Sequence, residues 1–213
     1  MAENTKPIAL EDRGETGEKL FSPSAGRNKD VIAETLGERL ARSSRILEIG
    51  SGTGEHAEAV CLKRPDLRWT PSDPDARSRA SIAARSREID NLAPPLALDL
   101  LDRGWMEAAP ECDALVCINV IHISPFDVTR ALAGFAASRL PGDGCVILYG
   151  PFLEGVRSAP SNLTFRDDLQ RRDPQWGVRE LDDVKAVFAG KGWRLDERIA
   201  MPANNLTLVF KPD

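Results

Sequence analysis

Arg45-Ile46-Leu47-Glu48-Ile49-Gly50-Ser51-Gly52-Thr53-Gly54-Glu55-His56 is the stretch that decides how this chain folds. Residues 45–49 are short and largely apolar, the pattern of a strand buried in a sheet. Glycines at 50, 52 and 54 let the main chain bend and approach a ligand closely. The helix expected from Glu55 onward turns free N–H groups toward the same place. A strand that runs into a glycine turn and then a helix forms a ligand crevice in open α/β sheets.

The register of the glycines selects the ligand. A dinucleotide fingerprint, G-x-G-x-x-G, needs glycine at 50, 52 and 55, but position 55 is Glu55. The observed pattern, Glu48 followed by Gly50, Gly52 and Gly54, is the E-x-G-x-G-x-G signature of S-adenosylmethionine (SAM) binding. SAM carries no phosphate, and a carboxylate at 48 suits its cationic methionyl end. Glu48, Gly50, Ser51, Gly52 and Gly54 are therefore cofactor candidates, with S-adenosylhomocysteine (SAH) as the expected product.

Downstream, 67–73 reads as a second strand, with Pro71 near its end, followed by an Arg/Ala-rich helix over 75–91. A third strand is expected at 95–99 and a fourth, nearly all apolar, at 113–119. A helix over 126–140, a tight turn at 141–144 and a fifth strand at 145–149 follow. Upstream, Val31, Ile32, Thr35, Leu36 and Leu40 recur at helical spacing over 22–42, with Ser24 as the expected N-cap. Residues 150–180 read as a long, polar, arginine-rich insertion, and 181–190 as a helix. Two final strands, 193–200 and 206–210, have only the turn 201–205 between them.

Alternating strands and helices predict a parallel sheet covered on both faces, and the last pair predicts an antiparallel hairpin. The expected fold is thus α/β: a Rossmann-like class I SAM-methyltransferase fold with a mostly parallel seven-stranded sheet. Residues 1–20 are expected to be a flexible N-terminal arm and 21–213 one domain.

Three carboxylates fall at the ends of successive expected strands: Glu48, Asp73 and Asp99. Asp73, about 20 residues after the glycine turn, suits the ribose hydroxyls. Asp75 is its neighbouring alternative, with helix N-capping as its structural role. Asp99, with Leu100 beside it, suits the adenine. Asn119 and His122 follow the fourth strand, where the methyl group would be presented. Asn119 is a candidate for both cofactor and catalysis. His122 reads either as a base or as a histidine satisfied by neighbouring backbone. His56 lines the pocket or caps its helix.

A net charge of −5 and a pI of about 5.2 argue against nucleic acid as the main partner, since phosphate binding usually needs a basic surface. The cluster Arg166, Arg171, Arg172 and Arg179 reads as a solvated helix face or a local patch. Four cysteines and two histidines make no zinc spacing, so no metal is expected. No apolar run approaches the roughly 20 residues that span a bilayer. The first residues lack a signal-peptide core, so a cytoplasmic protein without a membrane partner is expected.

The chain also resembles the methyltransferase-like 26 family. Residues 27–29, 47–56, 71–73, 118–125, 149–152 and 161–162 carry the resemblance, as do Phe165, 173–179 and 201–205. Arg166 stands where an acid is expected in relatives. The resemblance implies the fold and the SAM cofactor, and it adds Arg27, Asn28, Tyr149, Asn162, Arg179 and Asn204 as substrate-binding candidates. Ser161 and Asn205 belong to the same set, although serine and asparagine also serve turns for backbone reasons.

The expected activity is methyl transfer from SAM to a small-molecule acceptor, by in-line displacement in a desolvated pocket. The rival is a non-catalytic SAM- or SAH-binding module that acts through a protein partner. An oxidoreductase fails on the glycine register. An adenine methyltransferase fails because Val120 and Ile121 follow Asn119 where two prolines would stand.

Overall fold

The computed structural model describes residues 12–213. A hairpin comes first: β1 (Gly14–Thr16) pairs antiparallel with β2 (Lys19–Phe21). Helix α1 (Pro23–Arg39) is capped by Ser22, two residues before the expected Ser24, with Pro23 in its first turn. Then come β3 (Arg45–Ile49), α2 (Glu55–Lys63), β4 (Arg68–Ser72), α3 (Ala76–Ser86), α4 (Trp105–Ala108) and β5 (Ala114–Ile118). The chain continues through α5 (Asp127–Arg139), β6 (Cys145–Leu153), α6 (Pro160–Arg172), β7 (Arg179–Glu180), α7 (Leu181–Ala189), β8 (Trp193–Met201) and β9 (Asn205–Pro212).

The main sheet has the order β4-β3-β5-β6-β9-β8, and β7 pairs with the end of β6. Pairs among β4, β3, β5 and β6 are parallel, whereas β9 runs antiparallel to both β6 and β8. The chain goes from β3 outward to β4, then returns to β5 on the other side of β3. The ends of β3 and β5 therefore flank the switch point at which open α/β sheets bind ligands.

Alternation along the central strands divides the core. Leu47, Ile49, Leu115, Cys117 and Leu148 face α5 and α7, while Ile46, Val116 and Ile147 face α1 and α2. Burial on both faces explains the unbroken apolar run of β5.

Three expectations are corrected. Residues 95–99 form no strand; single bridges, Trp69↔Leu92 and Ser72↔Leu96, hold this segment beside β4. Pro94 and Pro95 cannot donate to a ladder. The seventh strand is β7 instead. Residues 14–20, expected in a flexible arm, form the hairpin together with Phe21, and Leu20 is buried. The expected arm over 1–11 lies outside the described residues. The insertion 150–180 extends β6 and then forms α6, a helix that buries only Asn162 and Leu169. So little burial leaves no apolar periodicity to read.

Candidate functional site

The turn after β3 is built for close approach. Gly50, Gly52 and Gly54 have φ of +67°, +58° and +82°, where side chains are strained. A Cβ at 50 would lie 2.4 Å from Val120 Cγ2, and one at 54 would lie 3.0 Å from Ile82 Cγ1. The turn is fastened to β4: Ser51 N–H donates to the Ser72 carbonyl (2.9 Å), and Ser72 N–H donates to Ser51 Oγ (3.2 Å).

Asp73 closes the same edge. Its Oδ2 accepts from Gly52 N–H (2.8 Å) and its Oδ1 from Asp75 N–H (2.9 Å). Each carboxylate oxygen retains accepting capacity beyond these bonds. Burial raises the Asp73 carboxyl above its ordinary value. Asp75 caps α3, its side chain accepting from Ser78 N–H (2.7 Å).

Glu48 lies in the α1/α2 face of the core, only 1% exposed, and accepts from Trp69 Nε1–H (3.0 Å). Burial pushes its carboxyl up to about 7. Glu55 mattered in the sequence as a missing glycine, and its own role went unread. Its buried carboxylate accepts from Ser22 N–H (2.7 Å) and Thr53 Oγ1–H (2.9 Å), pinning the start of α1 to the glycine turn. Only the fold reveals this role, because Ser22 and Glu55 are distant in sequence.

Asp99 does not close a strand. It is half-buried in an irregular segment, where its Oδ1 accepts from Leu101 N–H (2.9 Å), while Leu100 joins the core.

On the other side of the switch point, Asn119 follows β5 with φ +61°, and its N–H donates to the Tyr149 carbonyl (2.8 Å). His122 is 1% exposed, and neither ring nitrogen has a partner among the described residues. Its ring meets Phe152 edge-on at 5.1 Å and lies where a Cβ on Gly150 would be, 2.5 Å from Nε2. Burial and the nearby Arg179 charge lower it to about 3, so the ring is neutral. The Gly177 backbone beside the ring acts weakly against this lowering, without a hydrogen bond of good geometry. A base sealed this way needs an opening to reach an acceptor.

Three other candidates do meet. His56 Nε2 lies 2.9 Å from Asn28 Oδ1, and Asn28 Nδ2 donates toward Tyr149 Oη at 3.5 Å. This polar chain joins α1, α2 and β6. Burial lowers His56 to about 4 and raises the Tyr149 phenol. Arg27 is exposed on α1 and outside the chain.

The remaining substrate candidates are engaged within the protein, Asn162 and Arg179 with main chain and Asn204 with a side chain. Asn162 Nδ2 donates to the carbonyls of Phe152 (3.1 Å) and Asn204 (2.9 Å), tying α6 to β6 and to the β8–β9 turn. Asn204 Nδ2 donates to Ser161 Oγ (2.9 Å). Arg179 donates through Nε to the Ile121 carbonyl (2.8 Å) and through Nη2 to those of Ser124 and Gln175. These three side chains brace loops in this structure.

Among solved structures, the chain is similar to CalO1, a methyltransferase of calicheamicin biosynthesis in its SAH-bound form. That match has 15% identity and a TM-score of 0.71, covering 89% of this chain and 54% of that one. It is similar to an O-methyltransferase family protein from Burkholderia thailandensis (15% identity, TM-score 0.75, 89% and 56% coverage). It is also similar to an O-methyltransferase family 2 protein from Planctomyces limnophilus in complex with apigenin (18% identity, TM-score 0.72, 89% and 60% coverage). These likenesses show the class I methyltransferase fold, and the chain spans little more than half the length of the structures it matches. A family model matches residues 19–212, nearly the whole of the described chain. The chain belongs to that family, described as a protein of unknown function (DUF938).

Proposed function

We propose that this protein is a SAM-dependent methyltransferase acting on a small molecule, with SAH as product. The observation that carries the reading is the joining of the glycine turn to Asp73 by the Gly52 N–H bond, at the switch point of the sheet. Three left-handed glycines give the ligand its clearance, and Asp73 offers acceptors for ribose hydroxyls. Glu48 lies two residues before Gly50, where its charge would meet the methionyl amine. The O-methyltransferases among the similar structures support an oxygen acceptor. The finer resemblance to the methyltransferase-like 26 family, and a cytoplasmic setting, belong to the same proposal. No helix of the described residues is long and apolar enough to cross a membrane.

The transfer is a displacement at the methyl carbon, and positioning supplies most of the acceleration. Asn28, His56 and Tyr149 are the polar groups gathered for an acceptor beside Asn119. With Asn28 Nδ2 donating to Tyr149 Oη, the buried phenol keeps its own proton to donate to an acceptor oxygen once it is uncovered. His122 acts as a base only in a state that uncovers its ring. That sealed ring favours a second reading, binding of SAM or SAH without transfer.

Calorimetry with SAH and NAD, followed by transfer from radiolabelled SAM to metabolite extracts, tests both readings. Tight SAH binding with labelled small molecules supports the enzyme. SAH binding without a labelled product supports the binding module. Binding of NAD but not SAH removes both.

A further inference from the structure

The hairpin at the start of the described chain and the glycine turn are held by the same two side chains of α3. Ser81 Oγ donates to the Thr53 carbonyl within the turn (2.9 Å) and accepts from Leu20 N–H in β2 (2.8 Å). Arg85, 1% exposed, donates through Nε to the Thr53 carbonyl (3.0 Å) and through Nη2 to the Leu20 carbonyl (2.7 Å). Outside this buried root, the hairpin meets the chain through charges. Lys19 pairs with Glu88 (2.6 Å), Arg77 with Glu15 and Arg87 with Glu18.

Arg13, one residue before β1, extends from this hairpin to the crevice. Its Nη1 donates to Ser78 Oγ (2.9 Å), and its Nη2 lies 3.7 Å from where a Cβ on Gly52 would be. Its charge opposes the rise that burial gives the Asp73 carboxyl and adds to the hydrogen bonds that lower Asp75.

We propose that β1–β2 is a strap across the cofactor crevice and that Arg13 is a ligand-binding residue for the nucleoside end, working with Asp73. This rests on the methyltransferase reading. A ribose diol both donates and accepts: Asp73 takes the hydroxyl protons, and a guanidinium donates to the hydroxyl oxygens. Arg13 has five N–H donors, of which Ser78 takes one among the described residues. The strap can lift because its exposed ion pairs are individually weak and screened by salt, while the Leu20 root stays buried.

The test is calorimetry on the full chain with two probes, SAH and 5′-methylthioadenosine, which shares the nucleoside but lacks the aminoacyl end. Arg13→Ala should weaken both by about tenfold, the loss of a charge-assisted hydrogen bond, with an unchanged melting temperature. Arg13→Lys should restore part of the loss. Amide exchange over 14–19 should slow when SAH is added. If the wild type binds both probes and Arg13→Ala binds them equally or more tightly, the inference falls and the methyltransferase reading stands. Weakening of SAH alone would move Arg13 to the aminoacyl end and overturn the assignment. If the wild type binds neither probe, the methyltransferase reading falls and takes this inference with it.

Discussion

The two sides of the crevice treat polar residues differently. Around the glycine turn, Asp73 fixes two backbone N–H groups and keeps accepting capacity at both oxygens. Around the loop after β5 and the β8–β9 turn, Arg179 and Asn162 point their donors into carbonyls of their own chain. The difference teaches that a polar side chain in a loop indicates a ligand only where bonding capacity is left after nearby backbone is served. At the ends of β3 and β4, Ser51 and Asp73 each serve neighbouring backbone N–H groups, and the Asp73 oxygens keep acceptor capacity over. Where the chain is irregular, as over 119–125 and 201–205, side chains serve the carbonyls.

The largest effect expected from this contrast is at Gly50. Gly50→Ala places a Cβ 2.4 Å from Val120 Cγ2 at a φ of +67°. Strain and overpacking together should cost roughly 2–5 kcal/mol and abolish SAH binding. Gly50→Ala with Val120→Ala should recover part of the stability and none of the affinity, read by denaturant unfolding and calorimetry. Full recovery of binding would show that the turn approaches no ligand.

The next effect is pH dependence at Glu48. Burial pushes this carboxyl from 4.5 up to about 7, so the folded protein holds a proton that the unfolded chain releases. Its stabilising contribution is therefore full below the unfolded value and is lost as pH rises toward 7. The window is worth about 3 kcal/mol in order of magnitude. Glu48→Gln keeps an acceptor for the Trp69 indole and should flatten the profile between pH 4.5 and 7. A cationic ligand end nearby reverses the preference, so SAM should bind more tightly to the wild type as pH rises through about 7. An identical profile for Glu48→Gln would separate Glu48 from the ligand.

The same contrast explains what was legible in the sequence. The glycine register, Asp73, the strand alternation and the C-terminal hairpin are local patterns, and all appear in the fold. Residues 95–99 were misread because Leu96, Leu98 and Leu100 look like a strand, while Pro94 and Pro95 remove the donors a ladder needs. Helix α6 was hidden because it buries almost nothing apolar. Glu55, Arg13 and Arg85 were missed for a different reason: their partners are fixed by chain crossings over tens of residues, which leave no periodicity. His122 was correctly seen as unusual, but its sealing by Gly150 and Phe152 depends on a strand pairing that spacing does not show.

On the braced side, Arg179→Ala should cost about 1–3 kcal/mol, because carbonyls at Ile121 and Ser124 lose charged donors. Asn162→Ala should cost a similar amount through the Phe152 and Asn204 carbonyls. Both should leave SAH affinity unchanged by calorimetry. Loss of methyl transfer with stability and SAH affinity both unchanged would break the contrast, returning these residues to the substrate site assigned to them from the sequence.

The smallest effect, and the sharpest for the contrast, is at Asp73. Asp73→Asn replaces one oxygen with an amide that cannot accept, where Gly52 N–H and Asp75 N–H each now find an oxygen. One of these bonds is lost whichever way the amide turns. The stability cost should be about 1.5 kcal/mol, the low end for loss of a hydrogen bond to a charged acceptor. The ligand loses more than geometry, because a neutral amide is a weaker acceptor for ribose hydroxyls than a carboxylate. SAH affinity should therefore fall about five- to tenfold, a loss of the size expected for one charge-assisted bond. If Asp73 holds only the backbone, as Asn162 does, stability falls and affinity does not. Calorimetry and unfolding on the same variant thus decide whether the two sides of the crevice differ in kind.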